Sequence, residues 1–328
     1  MKYFSLFSGI GGFELGIGDK AECIGFSEID KYAIQIYQKH FPNHKNYGDI
    51  TKINADELPD FDFLCGGFPC QAFSIAGLRR GFEDTRGTLF FEIARILQAK
   101  RPSLLLLENV KGLLSHDKGA TFERIIQTLD ELGYDLQWQV LNSKNFGVPQ
   151  NRERVFIVGH LRGTSRPEVF PFRETNPKTL EYVGGILSDK AKKWLDDGKQ
   201  FSRNFSQGSR VYAESGISST LATQAGGLGA KTGLYLARVS RKDSVYDMRE
   251  TQTSGMLTAT MYKGIDASGR TGVKEGVKIR RLTPKECERL QGFPDNWTEG
   301  ISDTQRYKCL GNAVTVNVIQ AIIEKLLK

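Results

Sequence analysis

Cysteine and histidine are scarce, and neither is spaced as a disulfide framework or a metal site requires. Among 328 residues the chain has only four histidines and five cysteines, Cys23, Cys65, Cys70, Cys287 and Cys309. An odd cysteine count without a CxxC pair argues against disulfides and against structural zinc. We therefore expect no metal, and a chemically active cysteine would act as a thiolate.

Long apolar runs are also missing. No stretch reaches the roughly eighteen apolar residues of a membrane helix, and the N-terminus lacks the basic flank and apolar run of a secretion signal. Hydrophobic residues make up 39% and charged residues 25%, as in soluble globular proteins. We expect a cytoplasmic protein that does not enter a membrane.

Positive charge is concentrated in one region. Residues 160–282 hold 21 Lys and Arg against 12 Asp and Glu, whereas the rest of the chain holds 24 against 26. Such a basic region is expected of a surface that binds a polyanion. A basic surface that only keeps the chain soluble explains the count equally well.

The first half of the chain alternates between strand and helix patterns. The predicted strands are 3–7, 22–28, 62–65, 103–108, 136–141 and 155–160, and the clearest helices are 87–100 and 120–133. This alternation predicts an α/β fold with a mostly parallel sheet covered on both faces. Near Pro167 the chain becomes rich in Gly, Ser and Thr, which indicates a separate small domain of short strands. Helical patterns return at 284–291 and 314–327.

Three segments after predicted strands could bind a nucleotide-like ligand. The first is the glycine-rich "FSGIGGFELG", which follows the first strand but is not a dinucleotide fingerprint. The next strand ends at Glu28, whose carboxylate can accept hydrogen bonds from ribose hydroxyls, and Asp49 follows in "GDI". In this order they favour an adenosyl ligand, and the absence of a P-loop lysine favours S-adenosylmethionine.

A nucleophile and an acid are predicted at the same edge of the sheet. Cys70 follows a proline in "CGGFPCQAFS", on a loop where a thiol can be exposed and reactive. Glu108 ends the strand "LLLLENV", and its apolar surroundings suit proton donation near neutral pH. A buried structural cysteine and a charged strand cap are the plainer alternatives.

Arg152 and Arg154 in "VPQNRERV" stand two residues apart, so they share one face of an extended segment. Two guanidinium groups there suit a phosphate or a base carbonyl. An ordinary salt bridge is the alternative.

The order of these segments resembles the cytosine-5 DNA methyltransferase family over nearly the whole chain. The matching blocks are "LFSGIGGF", "SEID", "GDI", "GFPCQAFS", "RGTLFFEIARIL", "LLLLENV", "PQNRERVFIVG", "RRLTPKECERLQGFP" and "LGNAVTVNVI". The chain departs from the family pattern at Ser5, where many members have aspartate, and at Ile29, where an aromatic residue is common.

The resemblance implies a Rossmann-like, S-adenosylmethionine-dependent methyltransferase domain at 1–175 and 311–328. A loop-rich β target-recognition domain is expected at 176–279 and a connecting hinge at 280–310. The implied cofactor-binding residues are Phe7, Ile10, Gly12, Glu28, Ile29, Asp49, Ile50, Pro69, Leu89 and Asn312. The implied catalytic residues are Cys70 as nucleophile, Glu108 as acid, and Arg152 and Arg154 as contacts to DNA and base.

Further residues are implied as contacts to double-stranded DNA. They are Gln71, Ser74 and Arg86 near the nucleophile, and Gln207, Arg210, Tyr212 and Thr220 in the recognition region. Residues 237–278 separate the recognition region from the next family block and exceed the family pattern. The DNA sequence that the protein would recognise therefore stays open. We expect a monomer, and whether a separate restriction endonuclease accompanies it is also open. A tRNA methyltransferase on the same scaffold and a catalytically silent DNA-binding relative are the alternative functions.

Overall fold

The computed structural model describes residues 1–69, 89–165, 167–172 and 282–328, and the backbone of short strands between 184 and 280. The strands in the first half are β1 (Lys2–Leu6), β2 (Glu22–Ser27), β3 (Phe63–Gly67), β4 (Leu104–Val110), β5 (Tyr134–Asn142), β6 (Gln150–Asn151) and β7 (Glu153–Leu161). The helices are α1 (Gly12–Ile17), α2 (Lys31–His40), α3 (Leu89–Lys100), α4 (Ala120–Glu131), α5 (Pro284–Leu290), α6 (Asp303–Asn312) and α7 (Val316–Leu326). Short 3-10 segments lie at Gly18–Lys20, Ile50–Lys52, Ala55–Glu57, Lys111–Gly119 and Ser143–Phe146.

Six strands form one mixed sheet in the order β2-β1-β3-β4-β7-β5. The pairs β1–β2, β1–β3 and β3–β4 are parallel, whereas β7 runs antiparallel to both β4 and β5. The predicted α/β class with a mostly parallel sheet is confirmed, and each predicted strand lies within two residues of an observed one. The antiparallel insertion of β7 places the start of that strand beside the end of β4.

The core of the sheet follows from its apolar strands. All four leucines of β4 are buried, as expected of a strand covered on both faces. The two helices predicted most clearly also present an apolar face to the core, with Ile93 and Leu97 of α3 and Ile125 of α4 at most 1% exposed. Each such side chain stabilises the fold by about 1.5–3 kcal/mol relative to its exposed state.

Two compact units divide the chain. The first comprises Met1–Asn142, Glu153–Glu174 and Val314–Lys328, and the second comprises Ser143–Arg152 and Thr175–Ala313. The first unit holds the whole six-stranded sheet. Within the described residues, no helix has the length and apolarity needed to cross a membrane, and no cluster of three potential metal ligands occurs.

The described residues of the second unit form short strands and two helices. Its backbone strands are β8 (Gly184–Gly185), β9 (Arg210–Tyr212), β10 (Ser218–Ser219), β11 (Leu234–Tyr235), β12 (Ser240–Arg241), β13 (Ser244–Val245), β14 (Val273–Glu275) and β15 (Lys278–Arg280). β9 pairs with β8 and β11, and β14 pairs with β15. Helix α5 starts with Pro284 after a capping box in which Thr283 and Glu286 bind each other's backbone N–H groups.

The last helix completes the first unit by packing on α1. Gly16 allows this contact, because a Cβ placed there would lie 2.6 Å from the Cβ of Ile319 and 3.2 Å from the carbonyl oxygen of Val316. The apolar face of α7, including Val318, Ile322 and Ile323, is buried. The absence of a side chain at residue 16 therefore sets how closely the two helices approach.

Replacing Gly16 with alanine should destabilise the first unit by about 1–3 kcal/mol, because the added methyl group must displace Ile319. Unfolding in urea, followed by circular dichroism, measures the change. Gly112→Ala is the matched control, since its Cβ would have only an ordinary contact, 3.9 Å from Val110. Equal stability of the two variants would contradict this account of the α1–α7 contact.

Candidate active site

The glycine-rich loop after β1 has an unusual backbone. Phe7, Gly9 and Gly11 all have positive φ angles, at 53°, 56° and 86°. At Gly11 a side chain is also excluded by space, because its Cβ would lie 2.6 Å from the ring of Phe41. A Cβ at Gly9 would meet no heavy atom within 4 Å, so the loop borders open space. Of the other predicted residues here, Ile10 and Gly12 are buried.

Glu28 fastens this loop to the end of β2. Its Oε2 accepts from the backbone N of Gly9 at 2.9 Å, and its Oε1 accepts from the N atoms of Ile29 and Asp30, each at 2.8 Å. The carboxylate is thereby oriented by three backbone donors and keeps lone pairs for a ligand. Ile29 beside it is 71% exposed, an unusual position for a large apolar side chain.

Asp49 stands in the next loop with one carboxylate oxygen engaged. Its Oδ1 accepts from the N and Oγ1 of Thr51, at 3.0 and 2.9 Å. The backbone hydrogen bond from Thr51 lowers the pKa of Asp49, so it is a carboxylate at neutral pH. The next residue, Ile50, is buried, and its carbonyl accepts from Nη2 of Arg95 at 3.0 Å.

The segment that carries the predicted nucleophile is described only at its two ends. Cys70, Gln71, Ser74 and Arg86 lie outside the described residues, while Pro69 precedes the segment and Leu89 begins α3. The preceding residue Phe68 is held through its carbonyl oxygen, which accepts from Nδ2 of buried Asn109 at 2.9 Å. Asn109 thus connects the end of β4 to the residue just before Pro69.

Glu108 and Arg154 form an ion pair at this edge. Nε of Arg154 lies 3.0 Å from Oε1 of Glu108, and each side chain is only 12% exposed. The register of the sheet brings them together, since Glu108 pairs with Phe156 and Val110 with Arg154. Burial lowers the pKa of Arg154, and the attraction of Glu108 opposes that shift. On the other side, a Cβ at Gly67 would lie 3.0 Å from Oε2 of Glu108, so glycine leaves the carboxyl room.

Arg152 is found in a different setting, within the second unit. It is 2% exposed, and its guanidinium donates to the carbonyl oxygens of Gly311 at 3.4 Å and Ala313 at 2.8 Å. Gln291 also donates to the carbonyl of Ala313, at 3.1 Å. Asn312, at the end of α6, is exposed between these two anchored carbonyls. The roles predicted for Arg152 in DNA contact and for Asn312 in cofactor binding stay predictions.

The predicted recognition residues are described sparsely. Arg210 and Tyr212 lie in β9, of which only the backbone is described. Gln207 and Thr220 lie outside the described residues. Their contacts with DNA stay predictions.

Comparison with known proteins identifies the family. The model of the family described as C-5 cytosine-specific DNA methylase matches residues 1–328. The chain belongs to this family. It is 42% identical over 338 residues to the type II methyltransferase M1.ScrFI of Lactococcus lactis subsp. cremoris, covering 100% of this chain and 78% of that protein. It is 36% identical over 347 residues to the type II methyltransferase M.HhaI of Haemophilus parahaemolyticus, covering 98% and 93%.

A solved structure supports the fold of the methyltransferase. DNMT2 from Spodoptera frugiperda matches with a TM-score of 0.63 and 21% identity over 100% of this chain and 99% of that one. At this identity the likeness concerns the fold. The predicted family and the predicted α/β methyltransferase fold are therefore confirmed.

One residue of the site region was missed from the sequence. Glu14, in the first turn of α1, is 2% exposed, and neither of its carboxyl oxygens has a hydrogen-bond partner. The hydroxyl groups of Ser5 and Tyr37 are near enough to stabilise its charge, but without hydrogen-bond geometry. Burial outweighs them and raises the pKa of Glu14 to about 7. The apolar residues Phe13 and Ile17, which flank it in the sequence and are buried on the same short helix, were the available signal.

Glu14 should make the methyltransferase less stable as the pH rises from about 4.5 to about 7. In this window the folded chain retains the Glu14 proton, while the unfolded chain has released it. Folding therefore loses up to about 3 kcal/mol, and the loss levels off above pH 7. Glu14→Gln should remove this slope and raise the melting temperature at pH 8.

Thermal unfolding at pH 5, 6, 7 and 8 measures the effect. Glu22→Gln, which changes an exposed carboxyl group on β2, serves as the control and should keep the wild-type slope. A Glu14→Gln variant whose stability follows the wild-type pH profile would exclude Glu14 as the cause.

Proposed function

We propose that the enzyme methylates carbon-5 of a flipped-out cytosine in a specific short duplex DNA sequence, with S-adenosylmethionine as methyl donor. The observation that carries this proposal is the largely buried Glu108–Arg154 ion pair, which lies near the end of β4 beside the segment that leads to Cys70. Cys70 would attack carbon-6 of the base and Glu108 would contact the ring. The family to which the chain belongs acts on the same atom.

The residues after β1 and β2 fit an adenosyl group. The carboxylate of Glu28 is preorganised by three backbone donors and suits ribose hydroxyl groups. Exposed Ile29 offers an apolar surface for a base, and Gly9 borders open space. Phe7, Ile10, Gly12, Asp49, Ile50, Pro69, Leu89 and Asn312 are the further residues assigned to this site. When bound, S-adenosylmethionine supplies an electrophilic methyl group.

The chain's own groups would activate the cytosine. Carbon-5 is a weak nucleophile until the Cys70 thiolate adds to carbon-6 and pushes electron density onto carbon-5. Glu108, after taking up a proton from solvent, would donate a hydrogen bond or that proton to ring nitrogen-3 and would accept from the exocyclic amine, stabilising the adduct. After carbon-5 has been methylated, a base removes its proton. The electron pair then re-forms the 5,6 double bond and expels the thiolate.

Arg154 has two parts in this proposal. Its pairing with Glu108 fixes the carboxyl orientation, and its remaining N–H groups suit the base carbonyl. Because carbon-6 is not accessible within stacked DNA, the base must leave the duplex. The net +9 of residues 160–282 supports a polyanionic partner. Gln71, Ser74, Arg86, Arg152, Gln207, Arg210, Tyr212 and Thr220 are the proposed DNA contacts.

Replacing Glu28 with glutamine should weaken S-adenosylmethionine binding by roughly tenfold or more, a loss of about 1.4 kcal/mol or more. Glutamine keeps the shape, but its NH2 group cannot accept the backbone donors that Glu28 binds. Isothermal titration calorimetry measures the dissociation constant. Glu22→Gln, at the start of the strand that Glu28 follows, is the control and should bind as the wild type does. Unchanged affinity in Glu28→Gln would remove this residue from the cofactor site.

Replacing Cys70 with alanine should abolish methylation while leaving cofactor affinity within about twofold. Bisulfite sequencing of DNA from an expressing host first gives the methylated sequence. A duplex with 5-fluorocytosine at that position should then trap the wild-type enzyme covalently, because fluorine cannot leave carbon-5 as a proton does. Cys23→Ala is the control and should still be trapped. A stable adduct with Cys70→Ala would refute the assignment, and preferential methylation of purified tRNA would refute DNA as the substrate.

A further inference from the structure

Glu14 is a buried carboxyl group for which the proposed reaction has no use. It follows the glycine-rich loop directly, in the first turn of α1. The residue is 2% exposed, and both carboxyl oxygens lack a hydrogen-bond partner. A solvent-excluded carboxylate without a partner is rare, because its charge costs several kcal/mol to bury.

The groups around Glu14 are neutral or acidic. Those that interact with it electrostatically come from β1, β2, the loop after β2, α2 and β3, and they are Tyr3, Ser5, Cys23, Glu28, Tyr37 and Cys65. The hydroxyl of Tyr37 is bonded to Nδ1 of His44 at 3.0 Å. The contact of α7 with α1 is made by Ile319 and the backbone of Val316 at Gly16. Among the described residues, then, no salt bridge offsets a negative charge on Glu14.

The same carboxyl group is coupled to the predicted cofactor site. Glu28, which accepts the N–H of Gly9, repels a negative charge on Glu14 and so adds to the raised pKa of Glu14, though less than burial does. Phe7, Ile10 and Gly12 lie within seven residues of Glu14 on the turn between β1 and α1. Charge interactions across a protein interior are weakly screened, so a charge bound at this loop would act on Glu14 without touching it.

We propose that Glu14 favours the cationic methyl donor over its neutral product through long-range charge attraction. The inference rests on the proposed use of S-adenosylmethionine. The donor carries a sulfonium cation, whereas S-adenosylhomocysteine carries a neutral thioether at the same place. The sulfonium cation of the donor would thus compensate the negative charge of Glu14. This compensation is lost when the methyl group leaves, so the product binds more weakly.

The pH dependence of binding follows from this charge balance. Burial raises the pKa of Glu14 to about 7, so the group is partly protonated at neutral pH. A bound cation favours the carboxylate, and donor binding should therefore release protons near pH 7. By linkage, donor affinity rises with pH through this range, while product affinity lacks that increase.

The test is isothermal titration calorimetry of the full-length enzyme with S-adenosylmethionine and with S-adenosylhomocysteine from pH 6 to 8.5. Each titration is run in two buffers of different ionisation enthalpy, which gives the number of protons released. The ratio of donor to product affinity should rise about three- to tenfold between pH 6 and pH 8. Donor binding should release more protons at pH 7 than product binding.

Glu14→Gln separates this charge effect from other titrating groups. The amide has the same size and no charge, so its affinity ratio should be flat with pH and its excess proton release should vanish. Glu22→Gln, which neutralises an exposed carboxyl group on β2, should behave as the wild type.

The outcomes distinguish failure of the proposed cofactor from failure of the role proposed for Glu14. Absence of binding by either ligand would refute the proposed cofactor. Binding of both ligands with equal pH dependence and equal proton release in the wild type would overturn the role of Glu14, and this comparison needs no variant. A Glu14→Gln enzyme whose ratio of donor to product affinity changes with pH as in the wild type would overturn the role of Glu14 as well.

Discussion

The ion pair between Glu108 and Arg154 imposes a condition on the whole sheet. At 12% exposure, burying either charge without the other would cost several kcal/mol, so the fold must bring the two side chains together. Glu108 lies near the carboxyl end of β4, and Arg154 lies at the start of β7. Only an antiparallel β7 brings these two positions side by side, as the register of β4 and β7 does. The mixed direction of the sheet is therefore tied to the chemistry at its edge.

Three glutamates of one unit show how environment separates residues of the same type. Glu28 is held by three backbone N–H groups and serves as a fixed acceptor. Glu108 is paired with a cation and is oriented by it. Glu14 has neither kind of partner, and burial raises its pKa to about 7. Glu28 and Glu108 lie at or near the ends of parallel strands and Glu14 lies on the helix after β1, but the neighbours of each group decide how its carboxyl group is held.

Much of this arrangement could be predicted from the sequence, because the signals are local. The leucines of β4 and the glycines after β1 indicate a buried strand and a tight turn without any knowledge of distant residues. The family blocks also indicated Glu28 and Glu108, which the structure describes just after β2 and near the end of β4. Partners that are remote in the sequence were not predictable. Arg152 binds carbonyl groups 159 and 161 residues away, and the spacing of Arg152 and Arg154 contains nothing that indicates it.

The packing of α7 on α1 has a consequence for synthesis of the chain on the ribosome. About 140 residues separate the two parts of the first unit at Glu174 and Val314. At about 5–20 residues per second, they take roughly 7–28 s to translate. During that time the sheet can form while the surface of α1 at Gly16 still lacks Ile319. The nascent chain therefore exposes an apolar face for seconds, and apolar surface exposed in this way is prone to aggregation until α7 covers it.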